Sequence, residues 1–471
     1  SLCAAMCCLL ASVLLWTAWF PTLRFVLQTV VSSPRASSLP RSSAAASTSA
    51  YTSASSAAST SNSALLWVAA LVPTLFCVHG TSRAGVLLRA SDGLRGRAAR
   101  RTRSTVLRRA LSADQAHALA ERVLPSLTGR IGAVVGEVSS CRKVAILWKG
   151  MGTVYEIKID VRDSQGQKQG FVSFMVKIIN LPKYCSSAGD QRKRSSYMVE
   201  VAFYERHAQC FLDADVTLPR LLHVETSVPD SWDVLICMTK VEGAVARPPA
   251  DERALVSALR CLAKFHAVYW GEQRASKAVS SGLQPQGCFW YLDTRLEELA
   301  RMPVGGWEGR LRMAARALDS RLKADRFQTI CHGDAKLENM MFTGEFAEAG
   351  IFDFQYTGKA SAAKDVAYCL LFSQHIPRDR QLELVRLYYK TLETNLRELD
   401  RGDVLPPREV FEESYILAIC DLARWLSGWG WVGLRESLRP TCEEVLSRLD
   451  SGENLGSEAA YCERMFAQFP P

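Results

Sequence analysis

The pattern of apolar and polar residues divides the chain into an unusual leading part and an ordinary folded part. Residues 2–31 are almost continuously apolar, residues 32–63 are rich in Ser, Ala and Thr, and a shorter apolar run covers residues 64–78. An Arg-rich segment then extends to Arg109. From residue 111 onward, helical and alternating patterns replace these blocks, so folding is predicted to begin there.

The folded part is predicted to open with a helix and a pair of strands. Ser112 and Gln115 have the spacing of a capping box, and apolar residues then recur on one helical face. Strand patterns follow at Val144–Trp148 and at Thr153–Val161.

Two glycines lie between these strands, Gly150 and Gly152. Glycines in a tight hairpin allow the backbone to approach a phosphate closely, so both are candidates for nucleotide binding. Taken by themselves, the two glycines favour an ordinary turn.

Lys177 and Glu200 form a second candidate pair. Lys177 is the only charge within the apolar strand pattern Phe171–Ile179, and a buried lysine needs a partner or a phosphate. Glu200 falls near the buried face of the next helical pattern, Tyr197–Glu205. A strand lysine with a helix glutamate orients ATP phosphates in kinase folds. A structural salt bridge, or a lysine that reaches solvent, is the alternative.

One more apolar strand, Val234–Met238, leads into a polar segment that begins at Thr239. Met238 and Thr239 are predicted to form a hinge whose backbone binds adenine. The helical pattern Ala254–Trp270 follows and carries His266 on its apolar face, where a packed, hydrogen-bonded histidine is expected rather than a ligand.

The strongest signal of chemistry is the segment His332–Asn339, which reads H-G-D-x-K-x-x-N, followed by Asp353-Phe-Gln at the end of an apolar run. This order is typical of phosphoryl transfer from ATP. Asp334 is predicted to accept the proton of an attacking hydroxyl group. Asn339 and Asp353 are predicted to hold Mg²⁺ on the nucleotide.

Three neighbours of this set have expected supporting roles. Lys336 would neutralise charge on the transferring phosphoryl group, which makes it a catalytic candidate. His332 is expected to pack and to hold the loop by hydrogen bonds. Asp365 is expected to anchor the same loop through backbone hydrogen bonds.

The acceptor is predicted to be a small hydroxylated molecule. Gly333 stands where a protein kinase has the arginine that reads a phosphorylated activation loop, and Gln355 replaces the glycine of D-F-G. Eleven residues separate Asp353 from Asp365 and no A-P-E motif follows, so a peptide-docking segment has no room.

These motifs resemble the aminoglycoside phosphotransferase and choline kinase superfamily, and D-F-Q resembles its ecdysteroid-kinase-like (CHK-like) branch. The likeness covers about residues 113–470. It implies an α+β, bilobal, protein-kinase-like fold that binds ATP and Mg²⁺ in its cleft. The domains are predicted as a leader at 1–110, a β-rich N-lobe at 111–242 and a helical C-lobe with acceptor-binding helices at 243–471.

The C-terminal region, Glu409–Phe469, is predicted to be mostly helical. Trp425 and Trp429 fall on one helical face, with Asp421 one turn before them. Such a wall would suit a flat or cationic acceptor. Core packing of these residues is the interpretation that the sequence favours.

The charge of the chain is concentrated in the leader. Residues 1–112 contain twelve Arg, no Lys and one acid, so their net charge is +11. The whole chain carries +9, so the net charge of the remaining residues is −2. Nucleic-acid binding by the folded part is therefore not expected. The composition of residues 1–110 resembles leaders that route proteins to plastids surrounded by extra membranes. One alternative is a membrane anchor with an unfolded stalk, which would place the kinase domain in a reducing compartment such as the cytoplasm. The other alternative is a wrongly assigned gene start.

The fifteen cysteines are dispersed and form neither a C-x-x-C pair nor a Cys/His cluster at zinc spacing. They are expected to be buried free thiols in a reducing compartment.

Two other functions remain open from the sequence. A pseudokinase that binds nucleotide as a scaffold would keep the same motifs without turnover. An atypical protein kinase is favoured by Lys336 alone.

Overall fold

The structure is a computed structural model, and it describes residues 111–129, 134–180, 187–228, 232–246, 251–373, 376–401 and 405–471. The predicted leader at residues 1–110 lies outside the described residues, so plastid targeting and membrane contact stay predictions. Within those seven ranges, no helix combines the length and apolar character needed to cross a membrane.

An antiparallel five-stranded sheet forms the first half of the fold, in the order β1-β2-β3-β5-β4. Its strands are β1 Val134–Ile146, β2 Gly152–Arg162, β3 Lys168–Ile179, β4 Leu221–Val228 and β5 Trp232–Thr239. Three helices accompany it, α1 Ala113–Thr128, α2 Ala188–Arg206 and α3 Ala208–Asp213. The apolar side of α1 packs against β1 and β4.

The capping box predicted at the start of α1 is confirmed. The Ser112 hydroxyl accepts from the backbone N–H of Gln115, and the Gln115 side chain accepts from the backbone N–H of Ser112, both at 3.1 Å. The two bonds satisfy donors that a helix start otherwise leaves without partners.

The first strand departs from the prediction. β1 begins at Val134, ten residues before the predicted start at Val144, and it ends at Ile146, since a 3₁₀ turn occupies Trp148–Gly150. It is an edge strand with most of its residues exposed, so burial imposes little apolar alternation on its first part. The sequence pattern therefore detected only its last residues.

The second half is mainly helical. Its helices are α4 Glu252–Val268, α5 Glu272–Val279, α6 Leu296–Arg301, α7 Gly306–Met313, α8 Ala315–Lys323, α9 Ala362–Ser373, α10 Arg378–Glu398, α11 Arg408–Trp429, α12 Arg435–Asp450 and α13 Glu458–Gln468. Its short strands are β6 Val245–Ala246, β7 Gln328–Cys331, β8 Met340–Thr343, β9 Glu348–Ile351 and β10 Gly358–Ser361. The predicted α+β class and the mostly helical C-terminal region are confirmed.

One hydrophobic core joins the two halves through aromatic rings. Phe203 of α2 stacks on Phe354 with 3.7 Å between ring centroids, and Phe211 of α3 stacks on Phe265 of α4 at 4.2 Å. All four rings are fully buried. Because this core crosses from the sheet half to the helical half, it fixes the segment around Phe354 against both.

The cysteines of the described part are free. Seven of them are buried, including Cys237, Cys369 and Cys420. Burial is therefore confirmed for these seven, whereas Cys141 and Cys210 are exposed and Cys462 is half-buried. The compartment stays a prediction.

Candidate phosphoryl-transfer site

The predicted catalytic loop connects β7 to β8 and ends in the 3₁₀ turn Leu337–Asn339. One carboxylate oxygen of Asp334, Oδ2, accepts from the Asn339 amide at 2.9 Å and lies 3.2 Å from Lys336 Nζ. The other oxygen, Oδ1, is buried and has no hydrogen-bond partner in the described structure. A carboxylate held by one oxygen and free at the other is suited to accept a proton at a fixed position.

The loop is anchored as the sequence predicted. Asp365, which is fully buried at the start of α9, accepts from the backbone N–H groups of His332 at 2.6 Å and of Gly333 at 2.9 Å. It also lies 3.1 Å from Nε2 of His266, whose Nδ1 is 2.7 Å from the Tyr388 hydroxyl. Burial alone would raise the pKa of Asp365, but these hydrogen bonds hold that pKa below its usual value. His266 is therefore the packed histidine expected.

His332 contacts the D-F-Q segment from the other side. Its Nε2 lies 3.0 Å from the carbonyl oxygen of Phe352, and its Nδ1 lies 3.3 Å from the backbone nitrogen of Asp334. The expected holding role of His332 is thus visible in the geometry.

Gly333 has a steric reason to be glycine. Its φ is +84°, and a Cβ there would overlap the carbonyl oxygen of Tyr356 and lie 2.8 Å from the backbone nitrogen of Cys288. An arginine would not fit this crowded position. The motif H-G-D therefore follows from the close approach of two neighbouring backbones.

Lys177 and Glu200 form the predicted contact, and Asp353 joins them. Lys177 Nζ lies 2.6 Å from Glu200 Oε2 and 2.8 Å from Asp353 Oδ1, and its residue is 4% exposed. Burial alone would lower the pKa of Lys177, but the charges of Asp353 and Glu200 outweigh it and raise that pKa. Burial raises the pKa of Glu200 to about 7, although Lys177 opposes the shift. Burial alone would likewise raise the pKa of Asp353, but Lys177 and Lys193 hold it well below its usual range.

The predicted metal ligands are joined through the backbone. The N–H of Phe352, which precedes Asp353, donates to the carbonyl oxygen of Asn339 at 3.0 Å. The Asn339 amide itself donates to Asp334. Asp353 and Asn339 supply the hard oxygen atoms that Mg²⁺ prefers, and Asp353 is part-exposed on its side chain. The donor chemistry of the two residues therefore fits the ion.

A different cluster satisfies the geometric requirement for three metal ligands in the described residues, and it consists of His266, Cys331 and Asp365. Each of its members already has polar contacts: His266 and Asp365 contact each other, and the Cys331 thiol contacts the carbonyl oxygen of Ser361 at 3.4 Å. We therefore assign this cluster to loop anchoring.

The glycine hairpin is present, but its two glycines differ. Gly150 ends the 3₁₀ turn with φ +66°, which favours glycine. At Gly152 a Cβ would overlap the carbonyl oxygen of Ile178 in β3. Packing of the sheet therefore explains Gly152 without a phosphate, and phosphate binding by either glycine stays a prediction.

The hinge residues are more constrained than the sequence suggested. Met238 is 8% exposed, and its sulfur lies 3.6 Å from the Tyr204 hydroxyl. The backbone N–H of Thr239 donates to the carbonyl oxygen of Arg220 at 2.9 Å. The Thr239 amide is therefore already used, and adenine binding by this pair stays a prediction.

The predicted acidic and aromatic wall is only partly open. Asp421 is fully buried between Lys364 at 2.9 Å and Arg424 at 2.8 Å, so the core-packing alternative is right for this residue. Trp425 stacks on Trp429, with 4.9 Å between ring centroids, and Trp429 remains 45% exposed.

Sequence reasoning missed two aromatic residues beside the loop. The backbone N–H of Phe289 donates to the carbonyl oxygen of Gly333, and its ring contacts Trp425 at 5.0 Å between centroids. Burial raises the pKa of Tyr368 well above its usual value, and the nearby charge of Asp334 adds to this. Only the three-residue spacing between Asp365 and Tyr368 on α9 could have signalled the latter.

Comparison with known proteins gives a family-model match over part of the chain and a set of distant structural matches. Residues 185–401 match the model of APH, the phosphotransferase enzyme family, a range that contains Glu200, Asp334 and Asp353. No curated protein matches the chain in sequence.

Several solved structures align with this chain at low sequence identity and low TM-score. A choline/ethanolamine kinase family protein from Mesorhizobium loti is 16% identical, with 75% of this chain and 98% of that chain covered and a TM-score of 0.40. Choline kinase LicA from Streptococcus pneumoniae is 12% identical, with 70% and 98% covered and a TM-score of 0.38. An ethanolamine kinase from Plasmodium vivax is 13% identical, with 70% and 85% covered and a TM-score of 0.37.

Proposed function

Because residues 185–401 match the model of the APH phosphotransferase enzyme family, we propose that the chain transfers a phosphoryl group from ATP to a hydroxyl group of a small molecule. The observation that carries this proposal is the carboxylate of Asp334. Asn339 and Lys336 fix one of its oxygens, while the other is buried and unpartnered. Such an oxygen can take the proton of an acceptor hydroxyl as that hydroxyl attacks.

Two lysines supply positive charge for the phosphates. Lys177, held by Glu200, orients the nucleotide phosphates, and Lys336 neutralises charge on the group in transfer. Lys336 keeps a raised pKa because of the adjacent Asp334 charge, so it remains protonated at neutral pH.

Asp353 and Asn339 would hold Mg²⁺. When bound, the ion neutralises charge on the phosphate oxygens. The residues of this chain bring the acceptor oxygen and the nucleotide together, and Asp334 takes the proton.

A small acceptor is supported by the space around the loop. Gly333 is too crowded to be an arginine, and α9 begins nine residues after Asp353, at Ala362. This leaves no room for a segment on which a peptide substrate could dock. Membership of the CHK-like branch stays a prediction.

The test is the variant Asp334→Asn in the full chain. Asparagine keeps the size of the side chain but cannot accept the proton as a carboxylate does, so turnover should fall by about 10²–10⁴-fold while ATP affinity stays near that of the wild type. Asp379→Asn, an exposed acid on α10, is the matched control. Wild-type turnover in Asp334→Asn would contradict the proposed mechanism.

The acceptor panel separates this function from its alternatives. Alcohols, amino alcohols and sterols are incubated with ATP, and products are identified by a mass gain of one phosphate. Nucleotide binding without any product would favour a scaffolding pseudokinase. Transfer to generic protein substrates would favour an atypical protein kinase.

A further inference from the structure

One face of α2 contacts every residue of the D-F-Q segment, directly or through one side chain. The contacting positions are spaced three, four and three residues apart, which places them on a single stripe of the helix. They are Lys193, Ser196, Glu200 and Phe203. Glu200 reaches Asp353 through Lys177, whereas Phe203 stacks directly on Phe354.

Gln355 links this stripe to Asp353. Lys193 Nζ donates to Gln355 Oε1 at 2.5 Å, and the Ser196 hydroxyl donates to the same oxygen at 3.3 Å. The other end of the amide, Nε2, donates to Asp353 Oδ1 at 2.5 Å. Gln355 is 2% exposed, so water competes little for these bonds.

The chemistry of the two neighbours explains why an amide occupies this position. An ammonium group can only donate, and an ionised carboxylate can only accept. The side chain between Lys193 and Asp353 must therefore accept at one end and donate at the other. Glutamate in place of Gln355 would set a second carboxylate against Asp353, and methionine would make neither bond.

Asp353 needs such support because its backbone is strained. Its φ is +70°, in the left-handed region that non-glycine residues adopt uncommonly. Lys177 and Gln355 both bind Oδ1 of its carboxylate. Among the described contacts, Oδ2 makes no hydrogen bond, and the side chain is 31% exposed. Oδ1 thus serves for positioning and leaves Oδ2 available.

We propose that Lys193 and Gln355 are positioning residues that hold Asp353 in its metal-binding orientation, in parallel with Glu200 and Lys177. This inference rests on the proposed function, in which Asp353 is a metal ligand. Two separate ties from one helix hold the aspartate in a single orientation. The third residue of D-F-Q thereby forms what we call the lock, the hydrogen-bonded link from Lys193 through Gln355 to Asp353. The glycine of D-F-G has no side chain with which to form such a link.

Hydrogen exchange of the metal-free full chain tests the lock without turnover. Lys193→Met and Gln355→Met should each speed exchange of the backbone amides in residues 352–357 by about tenfold, because each breaks the same tie. Lys193→Arg keeps a donor and should restore slow exchange. Arg194→Met, at an exposed neighbouring position on α2, is the control and should leave exchange unchanged. Exchange as slow in both methionine variants as in the wild type would overturn the proposal.

A double-mutant cycle gives the second readout. Each single variant should raise the Mg²⁺ concentration for half-maximal activity by about tenfold, as is typical for partners of a metal ligand. The combination of Lys193→Met with Gln355→Met should raise it by about the same tenfold, since the second change removes a tie that is already broken. An additive, roughly hundredfold rise in that Mg²⁺ concentration would show that the two residues act independently. It would overturn the proposal that Lys193 acts on Asp353 through Gln355. Absence of turnover in the wild-type enzyme would instead contradict the proposed function. Hydrogen exchange would still test whether Lys193 and Gln355 hold Asp353.

Discussion

The shape of the catalytic loop depends on the buried carboxylate of Asp365. It accepts from the backbone N–H groups of His332 and Gly333 and contacts His266 at 3.1 Å. In Asp365→Asn, a nitrogen replaces one acceptor oxygen, so at least one donor that the carboxylate satisfied faces another donor. A buried N–H group that loses its charged acceptor lowers the free energy of unfolding by about 3 kcal/mol.

This cost converts to a measurable melting temperature. An unfolding entropy of about 2.1 cal/mol/K per residue, over roughly 360 folded residues, gives a fall of about 4 °C. Thermal denaturation of the full chain measures it, with Asp379→Asn as the exposed control. The turnover rate of Asp365→Asn should also be lower than that of the wild type at temperatures well below melting, because the loop that carries Asp334 loses its anchor. Melting within about 1 °C of the control, together with wild-type turnover, would refute the reasoning.

The same contacts predict three further results. Gly333→Ala should lower the free energy of unfolding in urea by more than about 2 kcal/mol, whereas Gly452→Ala, with positive φ but open space around it, should lower it by less. Glu200→Gln should raise the KM for ATP by about tenfold in steady-state kinetics, because Lys177 loses one of its two charged partners; an unchanged KM would contradict the pairing role. Since the pKa of Asp365 lies below its usual 3.8, its stabilising contribution is complete above pH 3.8 and is lost as the pH falls through the folded-state value. The difference in free energy of unfolding between the wild type and Asp365→Asn should therefore narrow below about pH 4. A constant difference down to about pH 3 would contradict this stabilising role of the ionised Asp365.

Local signals in the sequence predicted much of the fold and of the candidate site. The capping box at Ser112 and the strand around Lys177 depend on neighbours a few residues away, so pattern alone was sufficient. The pairing of Lys177 with Glu200 was predicted from their order along the chain. The anchoring role of Asp365 was predicted in the same way, and all of these contacts are present.

Features that depend on distant backbones were not predictable. The extent of β1 was missed because an edge strand needs little apolar alternation. The partner of the buried Asp421 was not predicted because Lys364 is 57 residues away, and only packing shows that they meet. The crowding that excludes a side chain at Gly333 comes from Cys288 and Tyr356, which lie on two separate segments.

The order of residues along the chain was enough to predict the chemical set: a carboxylate, an amide and a second carboxylate, with a lysine and a glutamate ahead of them. How that set is held depends on contacts between distant segments. Lys193 and Gln355 are 162 residues apart, and no local periodicity relates them. They meet because the shared aromatic core presses one face of α2 against D-F-Q, and burial then requires every polar group between them to find a partner.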